Sequence, residues 1–276
     1  MYKHSRIASF LFPLLLAILL LALYSGGKVI FAASSHASAL LVGPKKHYLA
    51  LGDSLAFGYQ PDRDYFHGYV KNYFTELKGH SVRDYFDTGC PGETSTTMIK
   101  GGCPLLPRFA PSQLSVALTY LKLHPATVSP VTLDIGANDI LSDINLTTCK
   151  VNMPQYQRDL ATFDANLRQV ILPKLHSALT VRGHTTGDLL IMNYYDPYQN
   201  ICPTQLSFML TLNQHLASDV QSYGTLVNVF EAFGGVSVPN TNICAYTWMC
   251  HNPADIHATD LGYRIIANTF RSAAGY

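Results

Sequence analysis

The segment His47-Tyr48-Leu49-Ala50-Leu51-Gly52-Asp53-Ser54-Leu55 runs from an apolar stretch straight into a glycine, an aspartate and a serine. A short apolar run without polar alternation suits a strand buried on both faces, the kind found in parallel sheets. The glycine at its end permits a sharp turn. Residues 82–88, 131–135, 188–193 and 225–230 have the same character, which makes five candidate strands. Between them lie stretches with apolar residues at three- and four-residue spacing. Residues 66–77 carry Val70, Tyr73, Phe74 and Leu77, and residues 113–123 carry Leu114, Ala117, Leu118 and Leu121. Residues 155–179 carry Leu160, Phe163, Leu167, Val170 and Ile171, with a kink expected at Pro173. Residues 206–220 and 261–273 complete the helical set. Alternating strands and helices predict an α/β fold on a parallel sheet, with ligand chemistry at the carboxyl ends of the strands.

The chain has 276 residues, 48% of them hydrophobic, 13% charged, and a net charge of +1. That supports one well-packed domain and argues against nucleic acid as a partner, since no basic stripe is present. The first forty residues differ in kind. Lys3 and Arg6 precede an apolar run from residue 7 to 24, and small residues follow, ending in Ala37-Ser38-Ala39. This is the pattern of a secretory signal peptide over residues 1–39, with an uncleaved anchor through residues 7–24 as the competing reading. Either way the remainder is exported. Residues 40–46 read as a linker and residues 47–276 as the folded domain. All six cysteines, Cys90, Cys103, Cys149, Cys202, Cys244 and Cys250, lie in the exported part. An even count in an oxidising compartment predicts three disulfides. Zinc is disfavoured, because no C-x-x-C pair occurs.

The strand ends carry the candidate chemistry. Strand one runs into Gly52-Asp53-Ser54-Leu55. Alone, this tetrapeptide reads more readily as a helix cap than as a nucleophile. Strand two ends in Asp87-Thr88-Gly89-Cys90-Pro91-Gly92-Glu93-Thr94, where Gly92 can offer an unobstructed N–H or simply make a turn. Strand three ends in Asp134-Ile135-Gly136-Ala137-Asn138-Asp139. The Asn138 amide can donate to a developing oxyanion or form an Asx turn. After strand five comes Asp255-Ile256-His257-Ala258-Thr259-Asp260. A serine needs a general base, and His257 is the histidine placed at the same sheet edge.

With these four segments in order, the chain resembles the SGNH (GDSL) hydrolases, a family named for its Ser, Gly, Asn and His. The resemblance covers the exported domain. It implies a three-layer α/β/α sandwich with a five-stranded parallel sheet in flavodoxin-like order. It also implies a serine ester hydrolase (an esterase or lipase) that needs no metal or organic cofactor. Ser54 would be the nucleophile, with its own N–H in the oxyanion hole beside Gly92 and Asn138, and His257 the base. The serine lacks a Gly-x-Ser-x-Gly context, which argues against the α/β-hydrolase fold.

One departure concerns the third triad member. The family usually has Asp three residues before the histidine, with Pro after it; here those positions are Ala254 and Ala258, and Asp255 is only two residues before. Either Asp255 reaches the imidazole, or a backbone carbonyl near Ala254 does so and leaves a Ser–His dyad. By the same resemblance to secreted members, and because all six cysteines fall on loops at the catalytic edge, the expected pairs are Cys90–Cys103, Cys149–Cys202 and Cys244–Cys250. The expected substrate is a small-molecule or lipid ester. Tyr59, Tyr65, Phe66, Tyr246 and Trp248 flank the signature residues and are either acyl-pocket walls or packing residues. A carbohydrate O-deacetylase on the same machinery, and a catalytically silent binding or surface protein, are the alternatives. Oligomeric state is not legible.

Overall fold

The computed structural model describes residues 41–103 and 112–276. The expected signal segment, residues 1–39, and the apolar run 7–24 lie outside the described residues. Five parallel strands form the main sheet: β1 (His47–Gly52), β2 (Asp84–Asp87), β3 (Val128–Asp134), β4 (Leu189–Met192) and β5 (Thr225–Val227). Their order is β2-β1-β3-β4-β5, the flavodoxin-like arrangement. Around it run α1 (Ser54–Phe57), α2 (Tyr69–Leu77), α3 (Ser95–Lys100), α4 (Gln113–Leu123), α5 (Ala137–Ile140), α6 (Met153–Asn166), α7 (Leu172–Ala178), α8 (Leu206–Val220), α9 (Val229–Ala232), α10 (Thr241–Tyr246) and α11 (Asp260–Ala274). Helices α2 and α11 pack together against one face. On the other, α3 meets α4 and α6, α4 meets α7, and α6 meets α8.

Burial explains the uninterrupted apolar strands. Tyr48 through Leu51 of β1 and Val131 and Leu133 of β3 are fully buried, because helices cover both faces. The polar exceptions are satisfied internally. Tyr48 and Thr132, on adjacent strands, share a 2.9 Å hydrogen bond. At the other edge of the sheet, the Val42 and Gly43 N–H groups donate to Asp188 at 2.7 and 2.9 Å, so the segment read as a linker is bonded to the start of β4.

The structure corrects several expected boundaries. Strand three begins at Val128 rather than 131, with Pro130 inside it. The β1–β3 ladder shifts register between His47 and Leu49, opposite the proline, which has no N–H to give. Strand five ends at Val227 rather than 230, because the Asn228 side chain accepts from the Glu231 N–H and starts α9. The long helical stretch does not simply kink at Pro173. A π turn over Leu167–Ile171 precedes it, and the wider turn accommodates a ring that can neither donate nor tolerate the carbonyl four residues back. Helix α2 starts at Tyr69, three residues late, because Gly68 meets Gly58 so closely that a Cβ on Gly68 would lie 2.6 Å from the Gly58 Cα. Two short hairpins, Ile144–Asn145 with Lys150–Val151 and Thr180–Val181 with His184–Thr185, had no signal in the sequence pattern.

All six cysteines are paired, as Cys90–Cys103, Cys149–Cys202 and Cys244–Cys250. The second bond ties the loop after β3 to the loop after β4, both at the carboxyl edge. At that edge Gly52 of β1 stands opposite Asp134 of β3. Gly52 has φ +152°, and a Cβ there would overlap the Asp134 carboxylate. Gly52→Ala is therefore expected to destabilise the fold by about 3 kcal/mol, from backbone strain plus overpacking; chemical denaturation of the purified variant measures it.

Candidate active site

The five strand ends deliver their side chains to one place. Directly after β1, the Asp53 carboxylate caps α1 by accepting from the Leu55 N–H at 2.9 Å, which fixes the turn from which Ser54 projects. The Ser54 hydroxyl is 2.8 Å from His257 Nε2, across 203 residues of sequence. Its 3.5 Å separation from Asp53 Oδ1 is too long to compete with that contact.

The partner of the opposite ring nitrogen is a side chain. Asp255 Oδ1 lies 2.5 Å from His257 Nδ1, and the same oxygen accepts from the His257 backbone N–H at 2.9 Å. The second bond is an Asx turn, in which an aspartate accepts from the backbone two residues on. The turn curls the chain, so a two-residue offset still lets the carboxylate reach the imidazole. Partial burial works against ionisation of Asp255. The hydrogen bonds from His257 outweigh it and hold the carboxyl below its usual range.

The loop carrying His257 is braced by its neighbours. The Trp248 N–H donates to the His257 carbonyl at 2.9 Å, the Asp255 N–H to the Trp248 carbonyl at 3.2 Å, and the Thr259 N–H to the Tyr246 carbonyl at 2.9 Å. Cys244–Cys250 closes this bracing loop. Tyr195 donates to the Ile256 carbonyl at 2.8 Å while its ring stacks on Phe233. The Tyr59 ring packs against His257 with centroids 4.5 Å apart. Buried Gln60 joins the nucleophile side to the base side, donating to Asp260 at 2.8 Å and accepting from Trp248 Nε1 at 3.2 Å.

Asn138 and Gly92 stand on the other side of Ser54. One hydrogen of the Asn138 amide goes to the Glu93 carbonyl at 3.0 Å, which leaves the second for an oxygen in the pocket. Gly92 adopts a left-handed φ of +80° immediately before Glu93. It is linked to Asn138 through the carbonyl of the next residue, Glu93. Asp139 fastens the same two loops by accepting from the Ser95 N–H at 2.9 Å and the Ser95 hydroxyl at 2.6 Å. Burial pushes the Asp139 carboxyl up to about 6 against the pull of those bonds.

Ser54, Asn138 and His257 line one pocket, with walls from Leu55, Leu141, Tyr194, Tyr195, Met209 and Ile256. Tyr59, Tyr65, Phe66, Tyr246 and Trp248 do not line it. Tyr59 is the one of these in ring contact with the base, Trp248 braces the base loop, and Phe66 is 71% exposed beside Lys71. Sequence reasoning missed Tyr194 and Tyr195. The signal was available, since they follow directly from β4 at the edge where the other candidates were found. It missed Asp134 as well. This buried carboxylate accepts from the Asp53 and Ala56 N–H groups at 3.0 and 3.3 Å and from the Tyr69 hydroxyl at 2.5 Å. Burial and the nearby Asp53 charge push its carboxyl well above the usual range.

The model of the GDSL-like lipase/acylhydrolase family matches residues 50–265. No curated protein matches the chain. Among solved structures, the lipase Lip_vut3 from a goat rumen metagenome is 16% identical with a TM-score of 0.58, covering 84% of this chain and 98% of its own. The acetylxylan esterase Axe2 from Geobacillus stearothermophilus is 16% identical with a TM-score of 0.52, covering 85% and 96%. A phospholipase A1 from Streptomyces albidoflavus NA297 is 17% identical with a TM-score of 0.53, covering 83% and 99%. At these identities the three structures establish a shared fold. The family match spans most of the chain, so the chain belongs to the GDSL-like lipase/acylhydrolase family and is a serine hydrolase acting on ester bonds.

Proposed function

We propose that this protein is a secreted esterase in which Ser54, His257 and Asp255 work as a triad and Ser54, Gly92 and Asn138 supply the oxyanion donors. The observation that carries the reading is the line from Ser54 Oγ through His257 to Asp255, with separations of 2.8 and 2.5 Å. His257 Nε2 removes the Ser54 proton as Oγ bonds to the ester carbonyl carbon. The carbonyl oxygen takes up the negative charge, which the Ser54 and Gly92 N–H groups and the Asn138 amide stabilise. His257 then passes its proton to the departing alcohol as the C–O bond breaks, leaving an acyl-serine. Water attacks that ester, gives a proton to His257, and Ser54 leaves with it. Asp255 fixes the tautomer that presents Nε2 as acceptor and stabilises the imidazolium formed in each half.

Export is supported by the amino-terminal sequence and by three disulfides outside it. Residues 1–39 act as the export signal in this reading, and residues 47–276 as the catalytic domain. Among the described residues no helix is long and apolar enough to cross a membrane.

A fluorophosphonate probe should label the wild type and leave Ser54→Ala unlabelled; labelling that persists would remove Ser54 from the mechanism. Asp255→Ala should lower kcat by roughly 10³-fold or more with the fold intact. A loss below about tenfold would mean that His257 needs no side-chain partner. Because Cys244–Cys250 closes the loop that braces His257 and lies away from the sheet, the Cys244→Ser/Cys250→Ser variant should lose kcat while far-UV circular dichroism is retained. Parallel loss of activity and secondary structure would count against a local role.

A further inference from the structure

The pocket beside Ser54 is small and its walls are fixed to different degrees. The cavity measures about 30 Å³. It is open to solvent on one side. Two walls cannot swing aside. Tyr194 is 3% exposed and its hydroxyl donates to Asp53 at 2.8 Å. Tyr195 is 5% exposed, bonded to the Ile256 carbonyl and stacked on Phe233. Moving either would strand a buried hydroxyl and disturb Asp53 or the loop of His257. Leu55 is held in the capped turn that carries Ser54. Ile256 is held in the His257 loop through its carbonyl, which accepts from Tyr195. Met209 of α8 and Leu141 after α5 make no polar contact through their side chains, and both pack against the apolar core.

We infer that this pocket receives the acyl group and favours short-chain over long-chain esters, and that Met209 and Leu141 set the limit. The inference rests on the acyl-enzyme reading above. The apolar walls reward each methylene they can bury, by roughly fourfold, and a longer chain must displace Met209 or Leu141 or remain in water.

The test is kcat/KM of the full chain for p-nitrophenyl acetate, butyrate, hexanoate and octanoate, in the wild type, Met209→Ala and Leu141→Ala. In the wild type, octanoate should fall at least about 100-fold below butyrate. At least one variant should raise the octanoate-to-butyrate ratio by about tenfold or more. A wild type that hydrolyses octanoate as well as butyrate overturns the inference without any variant having to fold. An unchanged ratio in both variants, with circular dichroism showing them folded, overturns the assignment of the limiting walls. Ser54→Ala on p-nitrophenyl acetate separates the two levels: turnover that persists there refutes the nucleophile, whatever the chain-length profile.

Discussion

Gly52 has no side chain, and the Asp134 carboxylate occupies the space where one would be. The rest of the site depends on that replacement. Asp134 accepts the N–H groups of Asp53 and Ala56 and the hydroxyl of Tyr69, so it binds the end of β1, the start of α1 and helix α2 to the end of β3. Asp53 is then placed to cap the turn and to receive Tyr194. Two carboxyls buried this closely cannot both be charged at low cost. Burial, with the neighbouring Asp53 charge, favours the protonated form of Asp134. Burial raises the Asp53 carboxyl as well, against the pull of the Leu55 N–H and the Tyr194 hydroxyl, which favour its charged form.

The base arrives by a different kind of restraint. His257 lies on a loop between β5 and α11 and has no strand to hold it. Its position comes from backbone bonds to the 246–248 segment, from Tyr195 beneath Ile256, and from Gln60 reaching across to Asp260 and Trp248. The nucleophile is set by the sheet, and the base is set by loops that disulfides and buried polar side chains hold in shape. That division explains why none of the six cysteines lies on the sheet: four are on loops, Cys244 is in α10 and Cys250 is in the 3₁₀ turn after it.

Much of this was legible in the sequence, for identifiable reasons. Strands β1, β3 and β4 announced themselves because burial on both faces leaves no room for polar alternation, whereas the edge strand β2 is partly exposed; β1 and α4 match their expected bounds. The three disulfide pairs were recoverable because their loops leave one edge of a sheet whose order the family resemblance supplied. What could not be read depends on particular side chains meeting at a distance. Nothing in the pattern around Pro130 announces a register shift on another strand. The Asn228 cap ends β5 three residues early, although Val229 and Phe230 look like strand residues. The two-residue offset between Asp255 and His257 left open whether the carboxylate or a backbone carbonyl meets the imidazole, and it is the Asx turn, a local hydrogen bond, that brings the carboxylate there. Aromatic residues next to a signature motif suggested the pocket walls, but adjacency in sequence to Ser54 or His257 places a residue beside the loop, not inside the pocket.

Tyr194 joins these threads. Its hydroxyl is a ligand of Asp53, behind the nucleophile, and its ring is a wall of the pocket in front of it. One residue thus couples the orientation of Ser54 to the room available for the acyl group. A smaller residue there would lengthen the pocket, but it would also leave the buried Asp53 carboxylate short of a donor. Met209 carries no such obligation, since nothing polar depends on it, and its flexible thioether can be exchanged without disturbing the capped turn. Among relatives that share this arrangement, acyl-length preference should therefore vary at the positions of Met209 and Leu141 long before it varies at Tyr194.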